Sequence, residues 1–139
     1  LNADRASLFI VEDDSLVLRV AENIDEMGEV RIPLGSGIAG AAAQSGETIR
    51  IDDAYADPRF NRDVDKQTGY HTHSILSLPI KNRAGNVFAV AQLLNRGDGQ
   101  PFDEDDEKQF AEFIQSIGVI IETMEGLSLG RVSAGKQAT

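Results

Sequence analysis

The sequence predicts an α+β, or α/β, sandwich: one mostly antiparallel sheet with helices on its faces. Three observations carry this. Two pairs of apolar runs are joined by short polar links, "DDS" and "KNRAGN", which are far too short for the crossover that parallel strands need. The last third of the chain holds the clearest helical spacing of apolar residues, from Phe110 to Met124. The chain has 139 residues, 41% of them hydrophobic, which suits one domain with one core.

The elements follow in order. Residues 6–13, "ASLFIVED", alternate as a strand, and "LVLRVAEN" (16–23) is its hairpin partner. "EVRIP" (29–33) is a short third strand ended by Pro33. In "LGSGIAGAAAQSGE" (34–47) the glycines allow a tight loop, and the alanine-rich centre favours a short helix that stops at Gly46. "TIRID" (48–52) is another short strand. Residues 53–73, "DAYADPRFNRDVDKQTGYHTH", are too long for an ordinary turn and form either a functional loop or short helices of their own. "SILSLPI" (74–80) and "VFAVAQLL" (87–94) make the second hairpin. In the final helix Phe110, Phe113, Ile114, Ile117, Ile120, Ile121 and Met124 recur on one side, and Asp103 to Glu107 load the first turn with acids, as the positive end of a helix dipole favours. The pattern stops after Gly126. Residues 1–125 therefore read as one domain and 126–139 as a flexible linker or tail. There is no internal repeat.

Composition excludes several functions. There is no Cys, so no disulfide scaffold, thiol nucleophile or thiolate metal site is expected. The formal net charge is −10, against the basic stripe of a nucleic-acid binder. No apolar run approaches the roughly 18 residues that span a bilayer, and no cleavable leader is apparent. The expectation is a cytoplasmic protein that meets neither nucleic acid nor membrane. No Ser, His and Asp are tied into a triad, so no enzyme is expected.

Three places can carry a ligand. In "GSGIAG" (35–40), Gly35 and Gly37 let the backbone approach a ligand, and the N–H groups of Ile38 and Ala39 then point out of a helix N-terminus, a seat for phosphate; the same glycines also serve a simple helix start. The 53–73 stretch offers Asn61, Asp65, Thr68, His71, Thr72 and His73, with Thr68 and Thr72 four apart, on one face if this part is helical; local turns use such residues equally well. Gln92 interrupts "VFAVAQLL" on the side of Phe88, Val90 and Leu94. A buried amide without a partner costs about 1–3 kcal/mol, so Gln92 must bond backbone, water or ligand. Ser7 poses a milder form of the same question beside Phe9 and Val11. His71 and His73 alone do not make a metal site, because zinc takes three or four protein ligands.

The connection "NRGDGQPFDEDDE" (95–107) sets Asn95, Arg96, Phe102, Asp106 and Glu107 between strand and helix. This resembles the "NKFDE" signature of GAF domains of the cyclic-nucleotide-binding kind, found in phosphodiesterases and bacterial adenylyl cyclases. "SLFIVEDDSLVLRV", "VRIPLGSGIAG", "SGETIRIDDAYADPRFNRDVDKQTGYHT", "SILSLPIKN" and "VFAVAQLLNR" are similar to the same family in the same order, over roughly residues 4–125. The resemblance implies a six-stranded antiparallel sheet with helices on its faces. It implies a ligand, cAMP or cGMP, held between the sheet and a lid formed by residues 53–73, with no cofactor and no metal. Ile38 and Ala39 would hold the cyclic phosphate through backbone N–H, and Thr68 and Thr72 would contact the nucleotide. Ser7, Ala21, Glu22, Asn61, Asp65 and Gln92 would line the purine and ribose. Arg96 and Asp106 would form an ion pair clamping the last strand to the last helix, with Phe102 stapling the start of that helix.

This chain departs from the family pattern at three positions. Arg96 stands for the signature Lys, Ala21 for a larger side chain against the base, and Arg50 for an Asn. The family's usual N-terminal helix is largely absent here. The function implied is that of a regulatory module in a larger signalling protein, a homodimer through terminal helices that controls an attached cyclase, phosphodiesterase, kinase or transcription regulator. The chain looks more like the cyclase members, which favours cAMP slightly over cGMP. The alternative is a GAF domain with an empty or different pocket that serves mainly in dimerisation. Enzymatic GAF domains, the methionine sulfoxide reductases, depend on cysteines that this chain lacks.

Overall fold

The computed structural model describes residues 3–21 and 31–137. Six strands form one sheet: β1 (Ala3–Glu12), β2 (Ser15–Ala21), β3 (Arg31–Pro33), β4 (Ile49–Ile51), β5 (Ile75–Lys81) and β6 (Val87–Arg96). Their order across the sheet is β3-β2-β1-β6-β5-β4, and every neighbouring pair is antiparallel. The first and last strands are thus central partners. Three helices accompany them: α1 (Gly37–Ser45), α2 (Asp63–Thr68) and α3 (Glu104–Gln137), with a 3₁₀ turn at Ala54–Ala56.

Alternation along β5 sorts the core into two layers. Leu76, Leu78 and Ile80 pack with Ile10, Ala89, Ala91, Leu93, Phe102, Phe110 and Ile114 under α3. On the opposite face Phe9, Leu16, Leu18 and Val90 pack with Ala39 and Ala42 of α1. Ile75 and Ile51 meet Ile38 of α1 and Ala54 of the 3₁₀ turn. Because both faces are covered, β5 is apolar almost throughout, and a fully buried Leu or Ile there is worth about 1.5–3 kcal/mol.

The main departures from the sequence expectation are at the start of β1 and the end of α3. β1 begins at Ala3, before the apolar run, because Ala3 and Arg5 are drawn into register with Arg96 and Leu94 of an equally extended β6. The third strand is described only for its Arg31–Pro33 part; residues 29 and 30 lie outside the described residues. α1 does stop where expected, with Gly46 in the left-handed region at φ 72° and its N–H on the Ala42 carbonyl. α3 does not end at Gly126. Its backbone stays helical to Gln137, through the stretch read as a flexible tail. A single glycine costs a helix only about 1 kcal/mol, and no proline follows Pro101.

Candidate ligand-binding site

The α1 face of the sheet carries one polar row. Ser7 of β1 lies opposite Gln92 of β6, and Gln92 lies opposite Ser77 of β5; Ala21 of β2 continues the row beyond Ser7. Ser77 Oγ donates to Gln92 Oε1 at 2.9 Å, which answers for half of that amide. Ser77 is fully buried. It was not singled out in the sequence; the register of β5 against β6 sets it level with Gln92.

The helix start above this row has an unusual backbone. Gly37 takes φ 68°, open to glycine and strained for other residues. A Cβ on Gly40 would stand 2.9 Å from the Pro33 carbonyl oxygen, so that position also requires glycine. Ser36 occupies the N-cap without a side-chain hydrogen bond. The N–H groups of Ile38 and Ala39 have no acceptor among the described residues. They belong to the first turn, where donors are free and the dipole favours an anion. Ile38 and Ala39 are themselves buried against the sheet.

Residues 53–73 cover this region. Ala54, Tyr55 and Phe60 pack with Ile38, Ile75 and Leu94, and the Arg59 carbonyl lies 4.0 Å from where a Gly37 Cβ would stand. The lid is held in shape by buried Asp65. Its carboxylate accepts from Tyr55 OH, Thr72 N and Thr72 Oγ1, each at 2.8 Å. The first of these raises the Tyr55 pKa above its usual value. Asn61 Oδ1 accepts from Asp63 N at 2.9 Å and so begins α2, which Gly69 ends at φ 74°. Tyr55 stacks on His71 at 4.6 Å, and His71 meets His73 at 4.4 Å. Among the described residues no group of three or more His, Cys, Asp or Glu could hold a metal.

The strand–helix connection ties this lid to the body. Asn95, at φ 54°, accepts from His73 N at 2.6 Å and Ser74 N at 3.1 Å through Oδ1. Its Nδ2 donates to Tyr70 OH and the His71 carbonyl, both at 2.9 Å. Arg96 stands 3.3 Å from Asp98, 3.1 Å from Asp103 and 3.4 Å from Asp106. Asp103 and Asp106 form a reciprocal capping box at the start of α3: each backbone N–H donates to the other's carboxylate at 2.9 Å. Glu107 reaches Arg50 of β4 at 3.4 Å.

The Asp106 backbone N–H, and then the Arg96 charge, hold the Asp103 carboxyl below its usual pKa. A lowered carboxyl stabilises the fold above its unfolded value, about 3.9, and that contribution is lost as pH falls through the lowered value.

With this geometry in place, comparison with known proteins is decisive: residues 1–121 match the family model of the GAF domain. The chain belongs to the GAF family. Among curated proteins it is 40% identical over 136 residues to "Dual 3′,5′-cyclic-AMP and -GMP phosphodiesterase 11" of Drosophila melanogaster, an alignment covering 86% of this chain. It is 37% identical over 144 residues to "Dual 3′,5′-cyclic-AMP and -GMP phosphodiesterase 11A" of Takifugu rubripes, covering 94% of this chain. The alignments span only 9% and 16% of those two proteins. Among solved structures, the GAF domain of a Coxiella burnetii phosphoenolpyruvate-protein phosphotransferase superposes with a TM-score of 0.75 at 23% identity, covering 93% of this chain and 76% of that one. That likeness concerns the fold.

A GAF domain is a regulatory domain, and here the family signature builds the joint between lid, sheet and α3. Of the residues expected to form the ligand site, Ser7, Ala21 and Gln92 share one row, and Ile38 and Ala39 lie over the same face. Asp65 and Thr72 are bonded to each other within the lid, and Asn61 is exposed at the start of α2. Thr68 closes α2, though its side chain is outside the description, as is that of Ala21; Glu22 lies outside the described residues altogether. Phe102 is buried beside Phe110.

One consequence is measurable at the clamp. Arg96→Ala is expected to cost about 1 kcal/mol, since the guanidinium is part-exposed and such pairs are screened. Asp106→Ala, which also removes a cap, should cost about 2 kcal/mol. Denaturant melts of both singles and the double should show a double loss smaller than the sum. Strict additivity would mean that the two residues do not interact.

Proposed function

We propose that this GAF domain takes a cyclic purine nucleotide between sheet and lid and reports its presence through α3 to an attached effector. The observation that carries the reading is the pair of first-turn N–H groups, Ile38 and Ala39, which have no acceptor among the described residues and lie above the Ser7–Gln92–Ser77 row and beneath the lid. A singly charged cyclic phosphate fits such a seat without any Lys or Arg, which suits a chain of net charge −10. Gln92 offers an amide to a purine edge. The relatives named as phosphodiesterases of cAMP and cGMP support a nucleotide of this class and an effector that is itself a phosphodiesterase. The module needs no metal or cofactor and works in the cytoplasm; among the described residues no helix is long and apolar enough to cross a membrane.

A ligand at about 1,000 times its dissociation constant adds roughly 4 kcal/mol. The domain should therefore melt at clearly higher temperature with cAMP or cGMP at millimolar concentration, and not with AMP. No shift with either cyclic nucleotide would leave the reading in which the domain serves dimerisation. Within the nucleotide reading cAMP is slightly preferred; a tenfold preference for cGMP in competition calorimetry would reverse that.

The second reading has its own support. Phe113 and Ile120, seven apart on α3, are each 58% exposed, an apolar strip that a second copy would cover. Ile120→Glu should then shift the sedimentation of a dimer to that of a monomer.

A further inference from the structure

The last limb of the lid is joined to the first strand as well as to the last. Tyr70 stands just beyond α2. Its hydroxyl donates to Asp4 Oδ2 at 2.6 Å and accepts from Asn95 Nδ2 at 2.9 Å. Its ring lies under the Arg5 guanidinium, 4.0 Å from the centroid. In the β1–β6 ladder Ala3 pairs with Arg96 and Arg5 with Leu94, so Asp4 comes level with Asn95. Three separated parts of the chain therefore meet at one hydroxyl: the lid, the start of β1 and the end of β6.

Two features make this joint more than local packing. The Tyr55–Asp65–Thr72 bonds lie wholly inside the lid, so they fix its shape and leave its attachment to other groups. Attachment of the 70–74 limb runs through Asn95 and Tyr70, and the residue after Asn95 is Arg96, which holds the start of α3. Burial, then the hydrogen bond and charge of Asp4, raise the Tyr70 pKa well above its usual value, which keeps the phenol a donor.

We propose that the Tyr70 hydroxyl is a latch that couples the placement of the lid to the first residues of β1. The state of the lid is then felt at Asp4 as well as at Arg96, at both strands that end this central ladder. The latch itself needs no ligand; only its use as a reporter rests on the nucleotide reading.

Amide hydrogen exchange on the nucleotide-free protein tests it. Tyr70→Phe removes the hydroxyl and keeps the ring under Arg5. Exchange over residues 3–6 and over 66–74 should both accelerate about tenfold. Asp4→Ala, a change on β1 alone, should accelerate exchange in the lid to a similar degree, and Asp4→Asn, which keeps an acceptor oxygen, should do so less. If Asp4→Ala speeds exchange in β1 and leaves 66–74 untouched, the latch is overturned, whatever a nucleotide does. In a second arm, saturating cAMP should slow exchange over residues 3–6 in the parent protein and not in Tyr70→Phe. Coupling without nucleotide, joined to no effect of cAMP or cGMP, would uphold the latch and count against the nucleotide reading.

Discussion

Asn95→Ala is expected to lower the melting temperature of the domain by about 10 °C. The side chain makes four hydrogen bonds, two accepted and two donated, and one of its donors is the backbone of buried Ser74. Each such bond contributes about 0.5–1.5 kcal/mol net. Alanine also tolerates the observed φ of 54° less well than asparagine, by about 1 kcal/mol. The sum is about 3–7 kcal/mol, and a domain of this size moves roughly 3 °C per kcal/mol, so 10 °C is the lower end of the expected fall. Asn95→Asp keeps the acceptor oxygen and loses the two donors, so it should fall about half as far. A change within about 2 °C for the alanine variant would show that the 70–74 limb is held by something other than Asn95.

Asp65→Ala should act on the lid first. Thr72 is 1% exposed, and the substitution leaves both its N–H and its hydroxyl without their acceptor. A buried donor left unpaired costs about 1–3 kcal/mol, so the lid loses most of what holds its shape. The apparent affinity for cAMP should fall about 30-fold, because affinity scales with the fraction of molecules whose lid is competent. Thr72→Val should weaken binding less, since Asp65 keeps its bond to Tyr55. The double variant should be no worse than Asp65→Ala alone. Calorimetry that found the Asp65→Ala protein binding as tightly as the parent would separate the Asp65 network from the ligand site.

Much of this was legible in the sequence, and what was missed has a physical pattern. The nearly continuous apolar runs "VFAVAQLL" and "SILSLPI" marked two strands, and they are continuous because both faces of those strands are buried. The first run also marked Gln92 as a residue in need of a partner. Ser77 went unnoticed because a serine inside an apolar run carries no signal until the register of β5 against β6 is known. The start of β1 was hidden for a related reason: "ADR" has no apolar periodicity, and only pairing with β6 makes it a strand. Asp103 was read only as one of the acids of the first turn, yet its spacing of three from Asp106 is that of a capping box, and the same two positions hold Arg96. The signature showed that Arg96 and Asp106 belong together. It did not show that Asn95 carries the lid, since Asn95 acts on residues more than twenty positions away.

A concavity away from the proposed site bears on how that site is tested. It lies on the opposite face, between β5 and α3, with a volume of about 350 Å³ and a floor of Leu78, Ile80 and Ile114. Heat stability alone would not tell the two places apart. The direct measurement is therefore a nitrogen–proton correlation spectrum of the labelled domain titrated with cAMP, cGMP and AMP. The expected result is that a cyclic nucleotide moves the backbone amides of Ile38 and Ala39 furthest, together with the side-chain amide of Gln92, and that AMP moves them little. Shifts confined to Leu78, Ile80 and Gly118, or Ile38 and Ala39 amides that stay in place while the nucleotide binds, would contradict a phosphate seat at the start of α1.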